Sequence, residues 1–238
     1  MPYGTLYLIP TGLGSDHPAL FLPEATRSIL HGLRHFVVEH PKTARAFLKS
    51  AGHPLSLQTL GFAILDEHTA SADHAALLQP LLGGTDVGLM SEAGCPAIAD
   101  PGAGLVRRAH EAGIRVAPLV GPSAILLALM ASGMNGQRFA FHGYLPVEAA
   151  ARREAIARLE AASRRDDATQ VFIETPYRNE ALVDAMLQTC RNDTLLCIAA
   201  DLTQANETIR TLPIAAWRRQ PLDLKRRPAV FLLYCGTS

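Results

Sequence analysis

Apolar positions along the chain fall into two alternating patterns. Short runs of strand formers, such as Thr5-Leu-Tyr-Leu-Ile9, give way to longer stretches with helical spacing. In the first half the predicted strands are Thr5–Ile9, Phe36–Glu39, Phe62–Leu65, Val87–Met90 and Ile114–Val120. The predicted helices are Pro23–Leu33, Thr43–Ala51, Asp73–Leu82 and Gly104–Ala112. Gly52, Gly83-Gly84 and Gly113 stand where the last three should stop, since glycine takes the left-handed cap conformation without steric cost. Strand and helix alternate throughout, which predicts βαβ units and a mostly parallel sheet covered on both faces.

The second half differs. Ser123 is placed to cap the apolar helix AILLALMAS, which Gly133 ends. A strand at Phe139–His142 and an alanine-rich charged helix over Val147–Arg165 follow. Then come a strand Thr169–Glu174, a helix Asn179–Cys190 and strands Leu195–Ala200 and Pro228–Tyr234. The connections are more hairpin-like, so a mixed sheet is expected here. The fold class read from the pattern is α/β, in two domains, 1–118 and 119–238.

In an open α/β sheet, ligands bind beyond the carboxyl ends of the strands. Two loops at such ends stand out. Pro10-Thr-Gly-Leu-Gly14 is a Gly-x-Gly turn, but His17 occupies the third place of a dinucleotide fingerprint and no Walker lysine follows. Residues 91–102, SEAGCPAIADPG, form a long loop stiffened by proline and glycine, with a carboxylate near each end. A loop of that length in a compact domain is functional or disordered, and this one is too apolar for disorder. Glu92 and Asp100 serve equally well as caps for backbone amides. Cys95 reads as a packing residue, His68 and His142 as core or rim histidines, and Glu174 as a carboxylate paired with Arg178. Gly121-Pro-Ser-Ala-Ile lacks the second glycine of a nucleophile elbow.

Composition narrows the classes. Of 238 residues, 48% are apolar and 18% charged, enough for a sizeable core. Formal net charge is zero, which excludes a protein held to nucleic acid by bulk charge alone and leaves room for local basic patches such as Lys225-Arg226-Arg227. The four cysteines form no C-x-x-C or zinc spacing, so no metal is expected and a reducing compartment is. The N-terminal MPYGTLYLIP lacks a leader pattern, and the longest apolar run, Ala124 to Ala131, cannot span a bilayer. A cytoplasmic protein without membrane contact is expected.

Read together, five segments resemble one family. They are Pro10–Gly14, Ser91–Gly102, Gly121-Pro-Ser-Ala124, Phe141-His-Gly-Tyr-Leu-Pro146 and Phe172-Ile-Glu-Thr-Pro-Tyr-Arg178. In this order they resemble the tetrapyrrole methylase family, the class III S-adenosylmethionine-dependent methyltransferases. Within it they are most similar to the branch that methylates 16S ribosomal RNA at a ribose 2′-hydroxyl. That branch carries S-D-A-G-T-P-x-I-S-D-P-G, G-P-S-A, F-x-G-F-L-P and E-S-P-x-R. The resemblance covers essentially the whole chain. It implies two α/β domains with S-adenosyl-L-methionine in the cleft between them, and a homodimer. It also implies that the cofactor meets Ser91, Glu92, Ala93, Gly94, Ile98, Asp100, Ser123, Ala124 and Phe172. The substrate cleft would hold Pro10, Thr11, Gly12, Gly14, Tyr144, Tyr177 and Arg178. With a hydroxyl acceptor, Glu39, Glu174 and His68 are the candidate bases.

Three motifs depart from that branch. E-D-T-R after the second strand is here Glu39-His-Pro-Lys42, and H-N-E after the third is Glu67-His-Thr69. The late R-E-L-T-K-x-x-E is Ala200-Asp-Leu-Thr-Gln-Ala-Asn-Glu207. The lost arginine and lysine weaken a phosphate grip. The expected function is RNA methylation, with possible partners ribosomal RNA or the small ribosomal subunit. Methylation of a small tetrapyrrole-like acceptor and non-catalytic binding of S-adenosylmethionine are the alternatives.

Overall fold

A computed structural model describes residues 2–14, 17–66, 68–69, 74–220 and 222–236. Glu67 and Asp73, which the sequence reading invokes, lie outside the described residues. Contacts divide the chain into two compact units, Met1–Ser123 and Ala124–Ser238.

The first unit runs β1 (Thr5–Ile9), α1 (Glu24–Gly32), β2 (His35–Val38), α2 (Pro41–Ser50) and β3 (Gly61–Ile64). It continues with α3 (His74–Leu77), α4 (Gln79–Leu82), β4 (Val87–Met90), α5 (Ala103–Glu111) and β5 (Arg115–Pro118). The five strands form one sheet in the order β3-β2-β4-β1-β5, with every pairing parallel. Alternate residues serve opposite faces. Leu6, Val37, Val87 and Leu89 pack with Leu78, Leu81 and Leu105. Ile9, Phe36, Val38 and Met90 pack with Leu30, Ala44 and Leu48 of α1 and α2. Gly88 keeps the second face closed, since a Cβ there would stand 2.5 Å from Ile9 Cδ1 and 3.0 Å from Phe36 Cδ1.

The single helix expected up to Leu82 is two short ones, broken at Leu78. Pro80 is the reason: it has no N–H to donate and its ring collides with the carbonyl four residues back, so the helix restarts with proline in its first turn.

Connections set the geometry of the rim. α1 and α2 carry the chain leftward to β2 and β3 over one face, and α3 to α5 carry it back over the other. Neighbouring β1 and β4 therefore send their chains in opposite directions, and the loops after them meet at this switch point.

The second unit runs α6 (Ala124–Ser132), β6 (Phe139–Tyr144), α7 (Ala149–Asp166), β7 (Thr169–Glu174) and α8 (Asn179–Thr189). β8 (Leu195–Ala200), β9 (Thr208–Pro213), α9 (Ile214–Trp217) and β10 (Ala229–Tyr234) complete it. Its sheet is mixed, as expected: β6-β7-β10-β8-β9, with only β6–β7 parallel. Phe172 and Phe231 stack at 6.1 Å in its core, and Trp217 Nε1 donates to the Leu196 carbonyl at 2.8 Å. Glu148 caps α7 by accepting from the amides of Ala150 and Ala151.

β9 and α9 are not foreseen by the apolar pattern. β9 is an edge strand with Arg210 at its centre, and that guanidinium lies 4.9 Å over the Trp217 ring. A cation–π contact of this kind covers an arginine that hydropathy alone scores as a loop residue.

Candidate functional site

The rim of the first sheet gathers the predicted loops. Thr11 N donates to the Gly94 carbonyl at 2.9 Å, and Thr11 Oγ1 donates to the Ser91 carbonyl at 3.2 Å. The turn after β1 and the loop after β4 are thus tied edge to edge. Gly121 closes a third side, since a Cβ there would lie 2.4 Å from Pro10 Cβ. The 91–102 loop is held in an uncommon shape. Positive φ angles occur at Gly94 (71°), Ala97 (65°), Ala99 (62°) and Gly102 (132°). For the two alanines this costs about 1–2 kcal/mol each, the kind of backbone strain that collects at ligand clamps.

Beside this junction lies a cavity of about 470 Å³, lined by Thr11, Gly12 and Gly14 from the first loop and by Met90, Ser91 and Glu92 after β4. The remaining wall is the end of β2 and the first turns of α2, including Glu39, His40, Thr43 and Phe47. A cavity of this size suits a small-molecule or nucleoside-sized group.

Its electrostatics are acidic. Asp100 is pushed up to about 6, first by burial, then by the Glu39 charge, with a smaller push from Glu92. The neighbouring Ser91 hydroxyl draws it back down. No contact of normal hydrogen-bond geometry satisfies that buried Ser91 Oγ, so this interaction is electrostatic rather than a formed bond. Glu39 is also raised, mainly by burial; the amide of Glu92, donating to Glu39 Oε1 at 3.3 Å, opposes the shift. His40 Nδ1 stands 3.4 Å from Glu92 Oε1. Cys95 is a neutral packing group: burial pushes its thiol up, and Sγ donates to the Pro122 carbonyl at 3.4 Å.

Each predicted site residue has a definite place. Pro10 is buried under the first loop, and Ala93 and Ile98 are exposed on the second. Ser123 immediately precedes α6, and Ala124 is its first residue. His68 lies past β3, where its backbone amide and the Thr69 hydroxyl both donate to Asp66 Oδ1. In the second unit Phe172 is fully buried and stacked on Phe231. Glu174 is buried and engaged by Arg178 at 2.6 Å, the pairing read from the sequence. Tyr144 and Tyr177 are exposed, and the Arg178 guanidinium lies 5.7 Å over the Tyr177 ring. The sequence reading missed His40 and Thr43. Their signal was position: both follow a parallel strand at the start of a helix, one residue and four residues past Glu39.

Among the described residues no group of three or more His, Cys, Asp or Glu side chains is arranged to hold a metal ion, and no helix is long and apolar enough to cross a membrane.

Comparison with known proteins agrees with this geometry. The family model of tetrapyrrole (corrin/porphyrin) methylases matches residues 5–216. The ribosomal RNA small subunit methyltransferase I of Vibrio cholerae is 32% identical over 96% of this chain and 76% of its own length. Its namesake from Pseudomonas aeruginosa is 34% identical over 90% of this chain and 72% of its own. Among solved structures, the methyltransferase CobJ superposes with a TM-score of 0.65 at 18% identity, covering 99% of this chain and 95% of that one. The uroporphyrin-III-C-methyltransferase of Thermus thermophilus gives 0.56 at 18% identity, over 97% and 92%. These two likenesses speak for the fold alone. With its family model matched over most of its length and relatives of this identity, the chain is a methyltransferase and belongs to the tetrapyrrole methylase family.

Proposed function

We propose that the protein is an S-adenosyl-L-methionine-dependent methyltransferase acting on 16S ribosomal RNA, at a ribose 2′-hydroxyl. The observation that supports this reading is the 32–34% identity, over 90–96% of this chain, to relatives named as small-subunit ribosomal RNA methyltransferases. A location in the cytoplasm and assembly as a homodimer belong to the same proposal; sedimentation tests the latter.

The residues present fit the methyl donor. The 91–102 loop offers backbone groups at Ala93 and Gly94, and a Cβ at Gly94 would come within 3.3 Å of Leu13 Cδ2 and fill the space. Ser91 Oγ is buried and unsatisfied, hence available to a polar ligand atom. The carboxylates of Glu39, Glu92 and Asp100 offset positive charge on an ammonium or sulfonium. When bound, the donor supplies a methyl group on a sulfonium that leaves as a neutral thioether. What the chain itself contributes is alignment of the two reactants by a rigid rim, exclusion of water and a group to take the acceptor's proton.

One observation favours a second reading, a small-molecule acceptor: no lysine or arginine lines the cavity, so phosphate has no cationic partner there. Radiolabelled methyl donor separates the two. With an extract from a strain lacking the gene, label is expected in 16S RNA within the small subunit. Label confined to small molecules would establish the second reading instead.

A further inference from the structure

Three titratable side chains line the cavity of the first unit: Glu39, His40 and Glu92. Glu39 Oε1 accepts the Glu92 amide at 3.3 Å, which commits one of its two oxygens to the loop. His40 differs from it. It is the residue before α2, at the cavity mouth, with most of its side chain open to solvent. Its Nδ1 stands 3.4 Å from Glu92 Oε1, an ion-pair distance. His40 and Glu92 are both departures from the related motifs, which carry Asp at each place, and the fold sets the two departures against each other.

We propose that His40 is the general base of the methyl transfer and that Glu92 is its positioning residue. This rests on the reading of a hydroxyl acceptor. With Nδ1 on the side of the Glu92 carboxylate, Nε2 is the nitrogen that takes the proton, and the carboxylate stabilises the imidazolium formed, the logic of a nucleophile, base and orienting acid in sequence. The step balances as follows. The acceptor O–H gives its proton to Nε2, and the oxygen pair forms the new O–CH3 bond. The methyl–sulfur bond of the donor breaks with its electron pair left on sulfur. The imidazolium then returns its proton to water, to which its exposed ring has access.

The test measures transfer to small ribosomal subunits lacking the methyl group, together with donor affinity by calorimetry. His40→Ala is expected to lower kcat about 100-fold or more, with donor Kd and RNA KM changed less than about threefold and with partial recovery on adding free imidazole. Glu92→Gln should lower kcat about tenfold, and Glu92→Asp should restore part of it. His40→Gln, which keeps the polar surface without a base, should match His40→Ala and guards against a folding artefact. Full kcat in both His40 variants, or a loss seen only in KM or donor Kd, would overturn the assignment. Failure of the wild-type protein to methylate any RNA would overturn the underlying reading, a different result from an active wild type with an equally active His40→Ala.

Discussion

The two units treat strand-end carboxylates in opposite ways. In the second unit, Glu174 at the end of β7 and Asp201 just past β8 are both buried, and each has its arginine. Arg178 meets Glu174 at 2.6 Å, and Arg227 Nε meets Asp201 Oδ2 at 2.5 Å. Arg227 also donates to the Asn206 carbonyl and the Thr208 hydroxyl, both at 3.0 Å, so one side chain ties the β8–β9 connection to the segment before β10. In the first unit, Glu39 and Asp100 are half-buried near one another, and among the described residues neither forms an ion pair with a lysine or arginine. Both are pushed above their usual range. A paired buried carboxylate holds a loop in place, whereas an unpaired one keeps a site ready for a ligand at some cost in stability.

The strongest way to break this comparison is in the second unit. Asp201→Ala leaves the part-buried Arg227 guanidinium without its carboxylate and should destabilise the protein by about 3 kcal/mol, read from urea unfolding. A loss below about 0.5 kcal/mol would show a pair no better than a surface one.

A smaller effect of opposite sign is expected in the first unit. Asp100 titrates near 6 in the folded protein and near its ordinary 3.8 when unfolded. The folded state therefore binds more protons between these values, and the stability contributed by the neutral carboxyl is full below about pH 4 and lost as pH rises through about 6. Asp100→Asn should remove that slope and raise stability at pH 8 by about 1 kcal/mol, after discounting for the solvent screening of a half-exposed group. Unfolding followed from pH 4 to pH 8 checks it; an unchanged slope would assign the acidity of this rim to other groups.

The smallest effect concerns the strained loop. Ala97→Gly relieves a φ of 65° and gains unfolded-chain freedom. The two oppose each other, leaving a net gain of about 0.5 kcal/mol. Donor affinity should fall, because a loosened loop must be ordered again on binding. An unchanged affinity would mean that the strain has no part in holding the ligand.

The apolar pattern was enough to place the strands and long helices of the first unit, because each is a strongly periodic segment with glycine or proline punctuation. It also marked Ser91–Gly102 and Pro10–Gly14 as rim loops, since chemistry in a parallel sheet gathers after strands. It did not find β9, whose central arginine lies over the Trp217 ring and donates to Gln220 Oε1, nor the break at Leu78. It named Glu92 and Glu39 without knowing that the amide of one bonds the carboxylate of the other.

What the sequence determined by itself, then, was local: periodicity, turn chemistry and ordered motifs that resemble one family. What tertiary structure decided was partnership. Glu39 and Glu92 are 53 residues apart in the chain, and Thr11 and Ser91 are 80 apart. The strand order β3-β2-β4-β1-β5 alone brings them to one rim. The same carboxylate side chain becomes a loop clamp at Asp201 and a raised, unpaired acid at Asp100. Its charge is set by burial and by which cation the fold brings near, and neither is written at its own position in the sequence.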